Sequence, residues 1–132
     1  MKKLYILLPF ALLSLTLFAQ NPVLNPDFEN WTSGTPNNWF TNNAGVNTPV
    51  TKATPGYASA SAAKLTAIVI AGQGTTVPIL LSANNGFPVT HMYSNLEFYY
   101  LANLLGNDAC NISVTFSDAS NNAVGVGATR IS

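Results

Sequence analysis

Two carboxylates near the start of the chain are the first candidates for catalysis. Asp27 and Glu29 lie two positions apart, and residues at i and i+2 of an extended segment project from the same side. Glycoside hydrolysis instead needs two carboxyl groups that flank the scissile bond across a cleft. We therefore expect this pair to be non-catalytic. The sequence shows no paired nucleophile and base, so we predict that the protein is not an enzyme.

A second pair combines an aromatic ring with a carboxylate. Glu97 and Tyr99 share one side of a predicted strand, opposite Phe98. A tyrosine ring can stack on a sugar, and a glutamate can accept hydrogen bonds from sugar hydroxyls. We therefore predict that Glu97 and Tyr99 contact a glycan or polysaccharide. In the alternative interpretation Tyr99 packs under a loop and Glu97 is simply solvated.

Three aromatic residues between positions 28 and 39 admit two interpretations. The rings of Phe28, Trp31 and Trp39 suit the apolar faces of pyranose rings, but they suit packing of an N-terminal strand equally well. We favour packing for Phe28 and Trp31. Trp39 opens a polar loop, so it is the one that we predict to contact the ligand.

The single cysteine and the single histidine are not predicted to form a site. Cys110 precedes a strand-like sequence, and we expect it to be a small buried hydrophobe. His91 stands alone, and a lone histidine is not a metal site. With one cysteine the chain cannot form an internal disulfide.

The first twenty residues predict where the protein functions. Lys2 and Lys3 precede an apolar run from Leu4 to Phe18, and Ala19 follows as a small residue. This order is typical of a secretory signal peptide, which we place at residues 1–19. The run is shorter than the roughly 20 residues that cross a bilayer, so we expect no membrane span after cleavage. A one-pass anchor is the alternative. The predicted location is secreted or on the cell surface, with the periplasm as a further option.

The charge of the mature chain excludes one class of partner. Without the leader three basic and five acidic residues remain, a net charge of −2. No basic stripe could neutralise phosphates, so we predict no nucleic-acid partner. A polar, weakly charged surface suits neutral partners such as sugars. The composition sets no oligomeric state.

The mature chain, residues 20–132, has the pattern of one all-β domain. We predict strands at 64–70, 75–81, 96–101, 112–117 and 123–126, with the last two forming a hairpin. Residues 37–54 are either a long loop or two short strands. Alternation assigns one face of two strands to a core, namely Leu96, Phe98, Tyr100, Ile112, Val114 and Phe116. A sheet with one solvent-exposed face and one face packed on a core indicates an antiparallel β-sandwich, here of the jelly-roll kind.

The strand count predicts that this sandwich is incomplete. A jelly roll needs about eight strands, and the sequence shows five or six. We therefore expect the chain to be truncated at its C-terminus.

The start of the mature chain resembles a known family. Residues 25–31 read Asn-Pro-Asp-Phe-Glu-Asn-Trp, and residues 36–39 read Pro-Asn-Asn-Trp. This block resembles the opening of secreted jelly-roll carbohydrate-binding modules of the galactose-binding-like superfamily. It is also similar to a carbohydrate-metabolism domain in exported proteins of Gram-negative bacteria, some of which carry a type IX secretion sorting domain. Pro26 and Asn38 depart from the family, in which glycine is common at both positions.

The resemblance implies a function and a metal site. It implies an exported, non-catalytic module that binds carbohydrate, as the N-terminal part of a larger glycan-processing or surface protein. It also implies that Glu29 contributes to a structural calcium site, since hard oxygen ligands suit calcium. A solvated Glu29 is the alternative. The alternative function is a structural or adhesive cell-surface domain with no small-molecule ligand.

Overall fold

A computed structural model describes residues 21–90, 93 and 95–132. The predicted signal helix and His91 lie outside the described residues. The chain divides into two units, one ending at position 92 and one beginning at Tyr93. We describe each by itself.

Strands account for all the regular secondary structure of the described residues. The first unit contains β1 (Trp31–Thr32), β2 (Thr35–Pro36), β3 (Trp39–Thr41), β4 (Val50–Ala53), β5 (Ala62–Leu65), β6 (Ile68–Ile70), β7 (Gly74–Thr76) and β8 (Leu80–Ser82). The second unit contains β9 (Cys110–Ser117) and β10 (Ala123–Ile131). The all-β prediction is confirmed, and within the described ranges no helix is long and apolar enough to cross a membrane.

The strands pair two by two in antiparallel ladders. The pairs are β1–β2, β3–β8, β4–β5, β6–β7 and β9–β10. The β3–β8 ladder is the one that joins segments far apart in sequence, and it encloses the β4–β5 and β6–β7 pairs along the chain. The arrangement of these ladders as two facing layers stays a prediction.

Two predicted strands of the first unit are each broken in two. The strand predicted at 64–70 is interrupted between Leu65 and Ile68, and the one at 75–81 is interrupted around Pro78. Proline has no N–H to donate to a ladder. The Asn42 side chain bridges this gap, since its Nδ2 donates to the Val77 carbonyl at 2.8 Å. The Ile79 N–H donates to Asn42 Oδ1 at 2.9 Å.

Residues 37–54 form two short strands, β3 and β4, and this settles the choice that the sequence left open. The strand predicted at 96–101, by contrast, is wrong. That segment joins no ladder among the described residues. A segment of alternating apolar and polar residues becomes part of a sheet only where an adjacent strand pairs with it.

The core prediction is half right. Leu96, Phe98 and Tyr100 are between 42% and 62% exposed, so the structure does not bury them. On β9 the predicted alternation is confirmed, because every second residue from Cys110 to Phe116 is partly buried and the intervening ones are exposed. The difference has a physical reason: β9 has a ladder neighbour, and 96–101 has none within the described part.

The predicted hairpin of the second unit is confirmed, and its second strand is longer than expected. β10 continues to Ile131, where it pairs with Cys110. The Asp118 carboxylate closes the turn by accepting hydrogen bonds from the N–H groups of Ser120 at 2.8 Å and Asn122 at 2.9 Å. The Asn122 side chain donates to the other carboxylate oxygen at 3.1 Å.

The centre of the first unit is Val50, which is 0% exposed. Its backbone is held by one side chain, that of Asn43. The Val50 N–H donates to Asn43 Oδ1 at 3.0 Å, and Asn43 Nδ2 donates to the Val50 carbonyl at 2.7 Å. The same Nδ2 donates to the Gly34 carbonyl at 3.2 Å, so Asn43 ties three segments together.

We predict that Asn43→Ala destabilises the first unit. The substitution leaves the buried polar groups of Val50 without their partner, and each such group costs about 1–3 kcal/mol. The free energy of unfolding should fall by at least about 2 kcal/mol. Both tryptophans, Trp31 and Trp39, lie in this unit, so urea unfolding followed by tryptophan fluorescence measures it. Asn37→Ala, at an exposed position, is the matched control, and equal stability of the two variants would contradict the prediction.

Candidate functional site

The motif at residues 25–31 folds around the Asn25 side chain. Its Nδ2 donates to the carbonyls of Asn30 at 2.9 Å and Asn37 at 3.0 Å. Its Oδ1 accepts a hydrogen bond from the Asn30 N–H at 3.0 Å. Asn25 has a φ of 50°, a left-handed conformation that asparagine tolerates better than most residues. The motif asparagine therefore shapes the backbone.

Phe28 has a positive φ of 54°, which is uncommon for a bulky residue. Its N–H donates to the Asn25 carbonyl at 3.2 Å, and its carbonyl accepts the Trp31 indole N–H at 2.6 Å. Its ring packs on Trp39, with the centroids 5.1 Å apart and the planes tilted by 42°. These contacts fix a backbone conformation that by itself would cost about 1–3 kcal/mol.

Trp39 is half-buried and its polar atom is engaged. The indole N–H donates to the carbonyls of Leu24 at 3.1 Å and Asn25 at 3.3 Å. Phe87 meets the ring edge-on at 5.3 Å. It follows a turn in which the Gly86 N–H donates to the Ala83 carbonyl at 3.0 Å. This geometry is that of a packing residue. Contact of Trp39 with a ligand stays a prediction.

The Glu29 carboxylate is bound to a buried serine. Its Oε1 accepts the Ser61 N–H at 2.9 Å and its Oε2 accepts the Ser61 hydroxyl at 3.0 Å. Partial desolvation raises the pKa of the Glu29 carboxyl. The hydrogen bonds from Ser61, with smaller contributions from the Ala60 N–H and the Lys52 ammonium, outweigh it and hold that pKa below its ordinary value.

A tight loop presents Ser61 to Glu29. The Gly56 N–H donates to the Ser59 carbonyl at 3.1 Å, and the Ser59 hydroxyl donates to the Ser61 carbonyl at 2.8 Å. A Cβ on Gly56 would overlap the Ser61 carbonyl oxygen. No local pattern singles out Ser61, because its role depends on Glu29, 32 residues earlier.

The residues around Glu29 do not fit a calcium ion as they stand. Both carboxylate oxygens accept hydrogen bonds from Ser61. The Glu29 carbonyl accepts one from Lys52 Nζ at 3.1 Å, so an ammonium already provides positive charge there. In the part of the chain that the structure describes, no three His, Cys, Asp or Glu side chains form a metal-binding group. Calcium at Glu29 stays a prediction that would require this network to open.

Glu97 and Tyr99 lie in the second unit on an exposed segment. The rings of Phe98 and Tyr100, two positions apart, lie 6.0 Å from each other. Glu97 and Tyr99 are both exposed, and Tyr99 is 74% exposed. Their joint contact with a ligand stays a prediction, and Trp39 and Glu29 lie in the other unit.

A groove of about 450 Å³ lies in the second unit. Its lining includes Leu96 and Phe98 together with Ile112, Val114 and Phe116 of β9. Gly125 and Gly127 of β10 add to it. These glycines are not among the residues predicted from the sequence, although their alternation with Val124 and Val126 is a signal that marks them. Cys110 is half-buried at the far end of β9, opposite Ile131.

Comparison with known proteins gives no relative from which to transfer a role. The chain matches no protein-family model, no curated protein and no solved structure. The assignment of a site therefore depends on the geometry alone.

We predict that Glu29→Gln makes the stability of the first unit less dependent on pH. The pKa of Glu29 is lower in the folded than in the unfolded chain. Its stabilisation is therefore present above the unfolded pKa of about 4.3 and is lost as the pH falls through the folded pKa. Urea unfolding followed by tryptophan fluorescence should show wild type more stable than the variant at pH 7, with the difference shrinking at pH 3.

Asp27→Asn is the control for this measurement. It removes one carboxylate from the same segment, where Asp27 accepts a long hydrogen bond of 3.4 Å from the Glu29 N–H. The stability of this variant at pH 7 should stay close to that of wild type. A Glu29→Gln effect of equal size at pH 3 and pH 7 would show that the charge of Glu29 does not stabilise the fold.

Proposed function

We propose that this protein is an exported, non-catalytic β-domain that binds carbohydrate through Glu97 and Tyr99. One observation carries the proposal: a tyrosine and a carboxylate two positions apart on one short segment are both exposed, Tyr99 to 74%. Phe98, between them, lines the groove. The pair is thus presented to solvent while its neighbour contributes to packing.

The chemistry of this pair suits a neutral sugar. The exposed ring face of Tyr99 can cover the apolar face of a pyranose, and its hydroxyl can donate or accept a hydrogen bond. The Glu97 carboxylate accepts hydrogen bonds from sugar hydroxyls, and bonds to a charged acceptor are the stronger kind. The weak net charge of the mature chain neither attracts nor repels such a ligand.

We further propose a context for this domain. The leader-like sequence at residues 1–19 supports export, and the motif at residues 25–31 supports membership of a jelly-roll carbohydrate-binding class. In that class the domain would act as one part of a larger glycan-processing or type IX-secreted surface protein. Mass spectrometry of the protein recovered from the cell exterior would test export, because a chain cleaved after Ala19 begins at Gln20.

Tyr99→Ala and Glu97→Gln should each weaken glycan binding about tenfold or more, a loss of at least about 1.4 kcal/mol. The reason is that each removes one of the two proposed contacts without emptying a core. Affinity electrophoresis in gels that contain a panel of soluble plant and microbial polysaccharides measures the change. Tyr57→Ala is the matched control, because Tyr57 is 78% exposed, as Tyr99 is 74% exposed, but lies in the first unit.

Retention of the wild-type chain on a polysaccharide, with loss in the two variants and not in Tyr57→Ala, supports the proposal. No retention of wild type on any polysaccharide rejects it. Circular dichroism of each variant shows whether the fold is intact.

Trp39→Ala should behave differently from Tyr99→Ala. It removes a ring that contacts Phe28 and Phe87 and a donor to two carbonyls. We expect the free energy of unfolding of the first unit to fall by up to about 3 kcal/mol, with glycan binding retained where the second unit stays folded. Loss of binding at unchanged stability would instead identify Trp39 as a ligand contact.

A structural or adhesive surface domain is the second candidate. The observation that favours it is that the motif residues of the first unit already have partners within the chain. Hydrogen bonds and ring contacts engage Asn25, Phe28, Glu29 and Trp39. In that case no polysaccharide would retain the wild-type chain.

A further inference from the structure

The charge of the mature chain is divided unevenly between its two units. In the first unit two lysines balance two carboxylates, Asp27 and Glu29, so the formal charge is zero. From Tyr93 onward Arg130 is the one cation. The carboxylates of this second unit are Glu97, Asp108 and Asp118. The net charge of −2 therefore belongs to the unit that carries the proposed glycan contacts.

Glu97 alone sets the charge of its segment. It is the one charged residue between positions 93 and 107, and it is exposed. Arg130 belongs to β10, where it pairs with Asn111 in the ladder. In the proposed site, a ligand that stacks on the Tyr99 ring would therefore lie beside a negative group, with no cation on the same segment.

The groove of the second unit provides no positive charge either. Its lining consists of apolar side chains, glycines and neutral polar side chains, and Leu96 and Phe98 from the Glu97 segment are among them. A carboxylate or sulfate group of a ligand that entered this groove would lose water and gain no ionic partner. Transfer of a charged group into such surroundings is unfavourable.

Repulsion between like charges can make a binding site selective. Specificity often depends on an element that opposes the wrong ligand as well as on contacts to the right one. A polysaccharide that carries uronate or sulfate groups would bring anions close to Glu97. We propose that Glu97 makes the site selective by charge, so that it accepts neutral polysaccharides and rejects polyanionic ones. This inference rests on the proposed glycan function.

The two contact residues then have separate roles. The Tyr99 ring provides an apolar contact that a pyranose makes whatever its charge. The Glu97 carboxylate accepts hydrogen bonds from the hydroxyls of a neutral sugar, and it repels a carboxylate or sulfate at the same place. Tyr99 thus contributes affinity for every glycan, and Glu97 determines which glycans bind best.

Matched polysaccharides with and without charge test this inference on the full mature chain. Affinity electrophoresis compares hydroxyethyl cellulose, xyloglucan, galactomannan and laminarin, each beside its own carboxymethyl derivative, and includes alginate as a natural polyanion. At about 10 mM salt, where the Debye length is about 30 Å, wild type should bind a neutral form at least about tenfold more tightly than its carboxymethyl form. At about 1 M salt, where that length is about 3 Å, the ratio should fall towards one.

Substitutions at the two contact residues separate charge from shape. Glu97→Gln should bring the ratio of the two affinities close to one at low salt, and Glu97→Lys should reverse the preference. Tyr99→Ala should weaken binding to both forms by the same factor and leave the ratio unchanged, because the ring carries no charge. Asp27→Asn, which removes a carboxylate from the first unit, is the control and should keep the wild-type ratio.

The possible failures of the inference and of the glycan function are distinguishable. Equal binding of the neutral and carboxymethyl forms by wild type, or retention on alginate alone, overturns the inference and leaves the glycan function standing. A preference that persists at high salt and in Glu97→Gln comes from blocked hydroxyls rather than from charge, and it overturns the inference as well. Retention on no polysaccharide rejects the glycan function itself and the inference with it.

Discussion

The hydrogen bonds between asparagine side chains and the backbone are the interaction on which the first unit depends. Asn43 satisfies both polar groups of Val50, and Asn42 spans the gap that Pro78 leaves in a strand. The Val50 side chain is fully buried, and burial of one such residue contributes about 1.5–3 kcal/mol. Two or three amide hydrogen bonds, each contributing about 0.5–1.5 kcal/mol, stabilise the unit by an amount comparable to the burial of Val50. The polar contacts are therefore as necessary as the small core.

This constraint explains what the N-terminal motif does. Asn25 and Trp39 hold carbonyl and N–H groups of neighbouring segments, and Glu29 holds a buried serine. Redirecting any of these side chains to a ligand would break its hydrogen bonds, and at Glu29 it would also leave the buried Ser61 without its partner. A motif that resembles the start of a binding module therefore acts here as a determinant of local structure, and the candidate site lies in the other unit.

The second unit differs from the first, because its candidate binding residues are exposed to solvent. Glu97 and Tyr99 are exposed, while Leu96 and Phe98 line the groove. The proposed glycan contacts and the groove lining are therefore different residues of one segment.

The sequence by itself determined the all-β class and the β9–β10 hairpin, because both follow from alternation and turn-forming residues that lie close together in the chain. The tertiary structure alone decided that Ser61 binds Glu29, that Asn43 holds Val50 and that 96–101 joins no ladder within the described residues. Each of these depends on which distant segment lies alongside, and the periodicity of one segment carries no information about its neighbour.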